Sequence, residues 1–131
     1  SVIRLMEEKQ IVLGTGSHET IVLADREAVN ILPYRFVVPF VRIKSVSTMD
    51  SGGVSFSFRH AALLSYPEES NRFSDISGVT GLSALLTAGA YTGSIISDPG
   101  ALMSWKIAQT AAAPSTVSDF LADIYLVCRA S

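Results

Sequence analysis

From Ser51 to His60 the chain reads SGGVSFSFRH, with Val54, Phe56 and Phe58 on one parity and Ser55, Ser57 and Arg59 on the other. Side chains alternate across a strand, so this pattern predicts a strand with one apolar face and one wet face. Similar composition recurs in about eight segments: VIRLME, QIVLGTG, TIVLAD, YRFVVPFVRIKSVST, GVSFSFRHAALL, TGSIIS, ALMSWKIAQT and DFLADIYLVCRA. Each is rich in β-branched or aromatic residues and bounded by turn formers. The first, with good helix formers in IRLMEEKQ, equally suits a short helix.

Inside the long run from Tyr34 to Thr48, Pro39 predicts a kink where one strand bends from one sheet toward another, because proline cannot donate to a ladder. MDSGGV, with Gly52 and Gly53 free to take positive φ, predicts a hairpin pairing Val41–Ser47 with Val54–Leu63. Leu82, Leu85, Leu86 and Val79 recur at helical spacing in SDISGVTGLSALLTAGA, which predicts a helix capped by Ser77 or Thr80 and ended by Gly89 or Gly93. SDPG, Ser97 to Gly100, is a turn signal between two short strands. The closing segment is apolar on both parities except at Asp123 and Arg129, which predicts burial of both faces at its centre. Strands without βαβ alternation, with one helix inserted, give an all-β fold: an antiparallel two-sheet sandwich or barrel in a single domain, residues 1–131. The Val54-Phe56-Phe58 face then packs on a facing sheet about 10 Å away.

Composition changes the picture in two ways. Apolar residues reach 48% and charged residues only 17%, so the chain has either an unusually complete core or a large surface meant for other protein. A net charge of −2 excludes a globally basic nucleic-acid binder. Cys128 is the only cysteine, so no internal disulfide forms, which fits a reducing compartment. The chain starts at Ser1 without a signal peptide, as expected of a processed product or a fragment. The uncharged run ISGVTGLSALLTAGAYTGSIIS is long enough to span a bilayer, but its Gly, Ser and Thr content and its lack of basic or aromatic flanks argue against a membrane segment.

Candidate chemistry is sparse. Ser17, His18 and Glu19 are contiguous, and neighbours on a strand point apart rather than forming a relay. His18 reads as a loop histidine, His60 as a strand-end histidine, and Cys128 as a small buried hydrophobe. No metal-ligand spacing is present, and the pairs Glu7-Glu8 and Glu68-Glu69 read as solvated. LGTGSHET lacks the Lys-Ser/Thr pair and the following helix of a phosphate loop. We therefore expect no catalytic residues, no cofactor and no metal. Trp105 with Tyr34, Tyr66, Tyr91 or Tyr125 would make an aromatic platform for a glycan or small ligand, although Trp105 alternates with Met103 and Ile107 as a core residue does. From Ala28 to Pro67 there are four cations, Arg35, Arg42, Lys44 and Arg59, against the single acid Asp50, a balance of +3. Arg42 and Lys44 share a parity and Arg59 lies on the wet side of the next strand, so these cations make either a patch for RNA or an acidic neighbour, or a solvated face paired with ordinary surface acids.

The eight segments, and especially YRFVVPFVRIKSVST, VSFSFRHAALL and the terminal FLADIYLVCRAS, resemble in outline the single jelly-roll of small viral coat proteins. The resemblance lies in architecture and covers most of the chain. It implies a non-catalytic structural protein that assembles with copies of itself, located in the virion or in the cytoplasm of an infected cell, with no obligatory small molecule. Many such coats begin with a disordered arm full of Arg and Lys. Here the start is SVIRLMEEKQ, with only Arg4 and Lys9, so either the arm is missing or genome contact falls to the patch.

Overall fold

The computed structural model describes residues 1–15, 20–22, 28–62 and 73–130. It contains strands and turns and, among the described residues, no helix. The strands are β1 (Val2–Leu13), β2 (Thr20–Val22), β3 (Val29–Asn30), β4 (Phe36–Thr48), β5 (Val54–Ala61), β6 (Ser74–Asp75), β7 (Gly89–Thr92), β8 (Ile96–Ser97), β9 (Leu102–Gln109) and β10 (Ser118–Arg129). Sheet A runs β1-β10-β4-β7, with β8 also on β4; sheet B runs β2-β9-β5-β6, with β3 also on β9. Since β7 and β8 share one lane, and β2 and β3 another, each sheet has four lanes. The result is an antiparallel, jelly-roll-like sandwich, as the pattern predicts.

The inner faces supply the core. Met6, Ile11, Leu13, Val37, Val41, Ile43, Phe120, Ala122, Ile124 and Leu126 from sheet A meet Val54, Phe56, Phe58, Met103, Trp105 and Ile107 from sheet B. Phe56 and Phe120 touch edge to face across the gap, ring centroids 6.1 Å apart. The apolar parity of SGGVSFSFRH therefore lies against the facing sheet of the same chain.

Several local expectations are corrected. VIRLME and the QIVL of the next segment are one strand, interrupted by register shifts between Arg4 and Lys9 where Glu8 adopts φ 45°. Pro39 causes no change of sheet: β4 stays in sheet A, and its pairing with β10 runs unbroken from Arg42 to Phe36. The carbonyl of Pro39 accepts from the Gly93 N–H at 2.8 Å, and in a ladder a residue's nitrogen faces the same way as its carbonyl. The missing N–H thus faces Gly93, just past the end of β7, where the ladder stops. Val41–Ser47 and Val54–Leu63 do not form a hairpin; β4 and β5 lie in different sheets, and residues 49–53 cross between them.

The segment expected to be helical is extended and turned. Gly78, Gly81 and Ala84 all take positive φ, which breaks a right-handed helix. Leu82 and Leu85 are buried as their spacing suggests, but their backbones bond the free edge of β5: Leu85 N–H to Val54 O at 2.8 Å, Val54 N–H to Leu85 O at 3.0 Å, and Phe56 N–H to Leu82 O at 2.9 Å. Gly53, at φ 74°, permits this approach, since a Cβ there would sit 2.6 Å from the Leu85 carbonyl oxygen. Leu86, expected on the same face, is exposed. No helix in the described residues is long and apolar enough to cross a membrane.

A buried polar knot closes one end of the sandwich. The Asp50 carboxylate accepts from the N–H groups of Gly52, Ser115 and Thr116 at 2.9, 3.0 and 3.0 Å. Asp50 N–H donates to Ser118 Oγ, whose hydroxyl donates to Gln109 Oε1 at 2.6 Å. Gln109 Nε2 in turn donates to the carbonyls of Leu13, Gly14 and Thr116. Gln109 belongs to sheet B and Ser118 to sheet A, so the knot ties the two layers. The Gly52 N–H, followed by those of Thr116 and Ser115, holds the Asp50 carboxyl below its ordinary value against the opposing effect of burial.

Candidate interaction surface

Sheet A presents its outer face in rows across the lanes, set by the strand register. The first row is Val2 on β1, Val127 on β10 and Val38 on β4, with Ile95 beside Val38 in the β7–β8 lane. The second is Arg4, Tyr125, Phe40 and Thr92. The third is the bulge at Glu7 and Glu8, then Asp123, Arg42 and Ala90. Val2 and Ile95 are 63% and 65% exposed, and Tyr125 stacks on Phe40 at 5.7 Å between centroids and 12° between planes. A shallow hollow of about 270 Å³ over the middle rows is lined by Arg4, Glu7, Arg42, Lys44, Asp123 and Tyr125, among others.

The four basic candidates do not converge. Arg42 and Lys44 share the outer face of sheet A, whereas Arg59 lies on the outer face of sheet B, across the sandwich. They are not on neighbouring strands as expected, because β4 and β5 separate into different layers. Arg35 precedes β4, its guanidinium over the Phe36 ring and 3.6 Å from Asp98. Arg59 lies over Phe73 and 3.9 Å from Asp75, a carboxylate it shares with Lys106. Lys44 is paired with Glu8 and Arg4 with Glu7, while Arg42 has no ion-pair partner among the described residues. The cations on sheet A are therefore interleaved with Glu7, Glu8 and Asp123, a mixed-sign field rather than a basic one.

The other candidates are placed as follows. Trp105 is 1% exposed in the core, so it offers no platform; its Nε1 has no hydrogen-bond partner among the described residues. The Tyr91 hydroxyl donates to Thr87 O at 2.6 Å, Tyr34 packs on the core, and Tyr66 lies outside the described residues. His60 is half-buried, its Nδ1–H donating to Pro99 O at 3.0 Å. Ser17, His18, Glu19, Glu68 and Glu69 lie outside the described residues. Cys128 is a free, buried thiol that burial pushes up from its ordinary pKa, with a smaller opposing pull from the N-terminal ammonium. Among the described residues no cluster of His, Cys, Asp and Glu could hold a metal.

The Tyr125–Phe40 stack and the Asp123–Arg42 row escaped sequence reasoning. Each partner alternates correctly within its own strand, but only the register of β10 on β4 places them side by side.

No protein-family model matches the chain, and no curated protein matches it by sequence. Among solved structures, the structure of infectious bursal disease virus, Gx strain, matches at a TM-score of 0.50 and 14% identity, over 96% of this chain and 30% of that one. The crystal structure of the infectious bursal disease virus VP2 subviral particle matches at 0.49 and 12%, over 96% and 31%. The chain thus spans under a third of either structure's chain. It has the fold of viral coat jelly-rolls in a weak, purely architectural sense.

Proposed function

We propose that this chain is a non-catalytic structural domain of viral-coat type that assembles with copies of itself. The observation that carries the reading is the outer face of sheet A, where apolar and charged rows stay half-exposed or exposed on a jelly-roll-like sandwich. Low charge content and the coat-like architecture support it. Arg42 and Lys44 face an acidic neighbour in this reading. RNA is the poorer fit, because Glu7, Glu8 and Asp123 beside them repel a phosphate chain. A glycan-binding role loses its support with Trp105 sealed in the core.

Sedimentation velocity from micromolar to near-millimolar protein, with electron microscopy of the concentrated sample, tests the proposal. We expect concentration-dependent oligomers or particles. A monomer across the whole range would sink it.

A further inference from the structure

The geometry points to a specific partner for the outer face of sheet A: a second copy of this chain, related by a two-fold axis parallel to the strands and lying between β4 and β10. This rests on the self-assembly reading above and names the surface that reading uses.

A face-to-face two-fold of this kind preserves height along the strands and exchanges lanes. It lays β10 of one copy over β4 of the other, and β1 over the β7–β8 lane. The register then fixes the contacts row by row. Val127 meets Val38 of the other copy, and Val2 meets Ile95, joining the two most exposed large apolar side chains among the described residues, which sit at opposite edges of one row. Tyr125 meets Phe40 in the next row. In the third, Asp123 meets Arg42, a cation without an ion-pair partner among the described residues. Each contact occurs twice, as an isologous interface requires.

Other placements of the axis fit worse. An axis directly over β10 sets Asp123 against Asp123. An axis perpendicular to the strands at the height of Arg42 lays β4 on β4 and sets Arg42 against Arg42. Against both, the axis between β4 and β10 opposes charges and matches apolar rows together.

Size agrees as well. β4 has 13 residues. β1 and β10 have 12 residues each and the β7–β8 lane is shorter, so at about 3.3 Å per residue and ~4.8 Å per lane the four-lane face measures about 700 Å² in outline. A standard interface buries roughly 800 Å² per partner. Sheets packed face to face keep their strand directions within about 30° of each other and lie ~10 Å apart, which an axis along the strands satisfies.

The test is charge reversal with rescue between chains. Arg42→Glu alone sets the introduced carboxylate against Asp123 of the second copy at two places, and Asp123→Arg alone sets the introduced guanidinium against Arg42. Each is expected to weaken self-association by roughly 100-fold in sedimentation equilibrium, since opposed like charges cost several kcal/mol. Mixing the two variants restores opposite charges across the interface, so the mixture should associate as wild type does, and as the double variant R42E/D123R does. Circular dichroism and urea melts confirm that each variant is folded, which matters because Asp123 Oδ1 also accepts the Glu8 N–H at 2.5 Å. Should Asp123→Arg not fold, Val38→Cys mixed with Val127→Cys gives the same reading with a short bismaleimide cross-linker, since sheets ~10 Å apart are too distant for a direct disulfide: more linked heterodimer than either variant alone gives homodimer supports the axis, and no such excess opposes it.

Wild-type oligomers unaffected by R42E, with no recovery on mixing, would overturn this interface while leaving self-assembly standing. A monomeric wild type would overturn both. If R42E instead weakened binding of a single-stranded RNA probe and left sedimentation unchanged, the face would be a polyanion surface and the two-fold would be wrong.

Discussion

The two outer faces of the sandwich are built by the same alternation and meet opposite fates. On sheet B, the outer residues of β9 are buried: Leu102, Ser104 and Ala108 are each under a tenth exposed. Leu102 joins Ala61, Phe73 and Ala28 in a second, smaller apolar cluster on that side. Next to it, Arg59 and Lys106 both turn onto Asp75. On sheet A, the outer residues of β10 and β4 stay half-exposed, with Val2 and Ile95 open at the rims. Sheet B is thus closed by its own chain, through small or apolar side chains that admit a cover and a carboxylate that absorbs the cations. Sheet A carries apolar bulk and charges of both signs with no comparable cover among the described residues, and that contrast motivates the proposed partner.

The sharpest way to break this contrast is to place the same charge on both faces. Leu102→Asp buries a carboxylate in the covered cluster and should cost about 3 kcal/mol or more of unfolding free energy. Val2→Asp leaves its carboxylate in water and should stay within about 0.5 kcal/mol for the dissociated chain, while weakening association. Urea denaturation at low protein concentration measures both, and equal losses would mean that the faces are not differently covered.

Acidification addresses what the faces share. The Asp50 knot ties the two sheets at one end, so protonating it loosens the backing of both. Its folded pKa lies below its unfolded value, roughly 3.9, so the unfolded chain binds the proton more readily. The contribution is fully present above that value and is lost as pH falls through the folded pKa. The urea midpoint should therefore drop below about pH 4, and Asp50→Asn, already weaker at neutral pH, should lose that part of the slope. An identical acid limb in the two proteins would remove Asp50 from this role.

Tyr125→Ala tests the uncovered face with a smaller change. It removes the stack on Phe40, about 1 kcal/mol beyond area burial. In the dissociated chain we expect a modest loss of stability in urea melts, well below that of Leu102→Asp. In the assembled state the effect should grow, because the same ring lies in the row that meets the second copy. A loss independent of protein concentration would mean that the stack serves only the monomer.

How much of this was legible beforehand depended on whether a signal is local. The period-two pattern of Val54, Phe56 and Phe58 is local, and the predicted inner face is the observed one. The leucine spacing at Leu82 and Leu85 correctly marked burial but not conformation, because backbone bonding to the edge of β5 and the positive φ of Gly81 and Ala84 override helical periodicity. The closing strand read as buried on both faces, yet β10 is fully buried only on its inner face, and β9 is the strand covered on both sides. Apolarity of an outer position does not say whether the chain will cover it. The basic set divided for the same reason: parity placed Arg42, Lys44 and Arg59 on wet faces, but only the crossing at residues 49–53 decided that those faces are opposite ones.

The smallest expected effect belongs to Arg59, and it isolates the covered face. Its guanidinium is largely withdrawn from solvent, over Phe73, but its partner Asp75 is well exposed and already held by Lys106 at 3.1 Å. Exposed partners screen an ion pair, so Arg59→Ala should cost at most about 1 kcal/mol, much of it lost packing on the ring. Because Arg59 lies on the face opposite the rows of sheet A, self-association should stay at the wild-type value. Arg42→Glu should do the reverse, costing the dissociated chain no more than about 1 kcal/mol through the new carboxylate's place beside Asp123 on the next strand, and strongly moving the sedimentation profile. If Arg59→Ala also impaired association, the assembly surface would extend around the sandwich, and the division between a covered face and a docking face would fail.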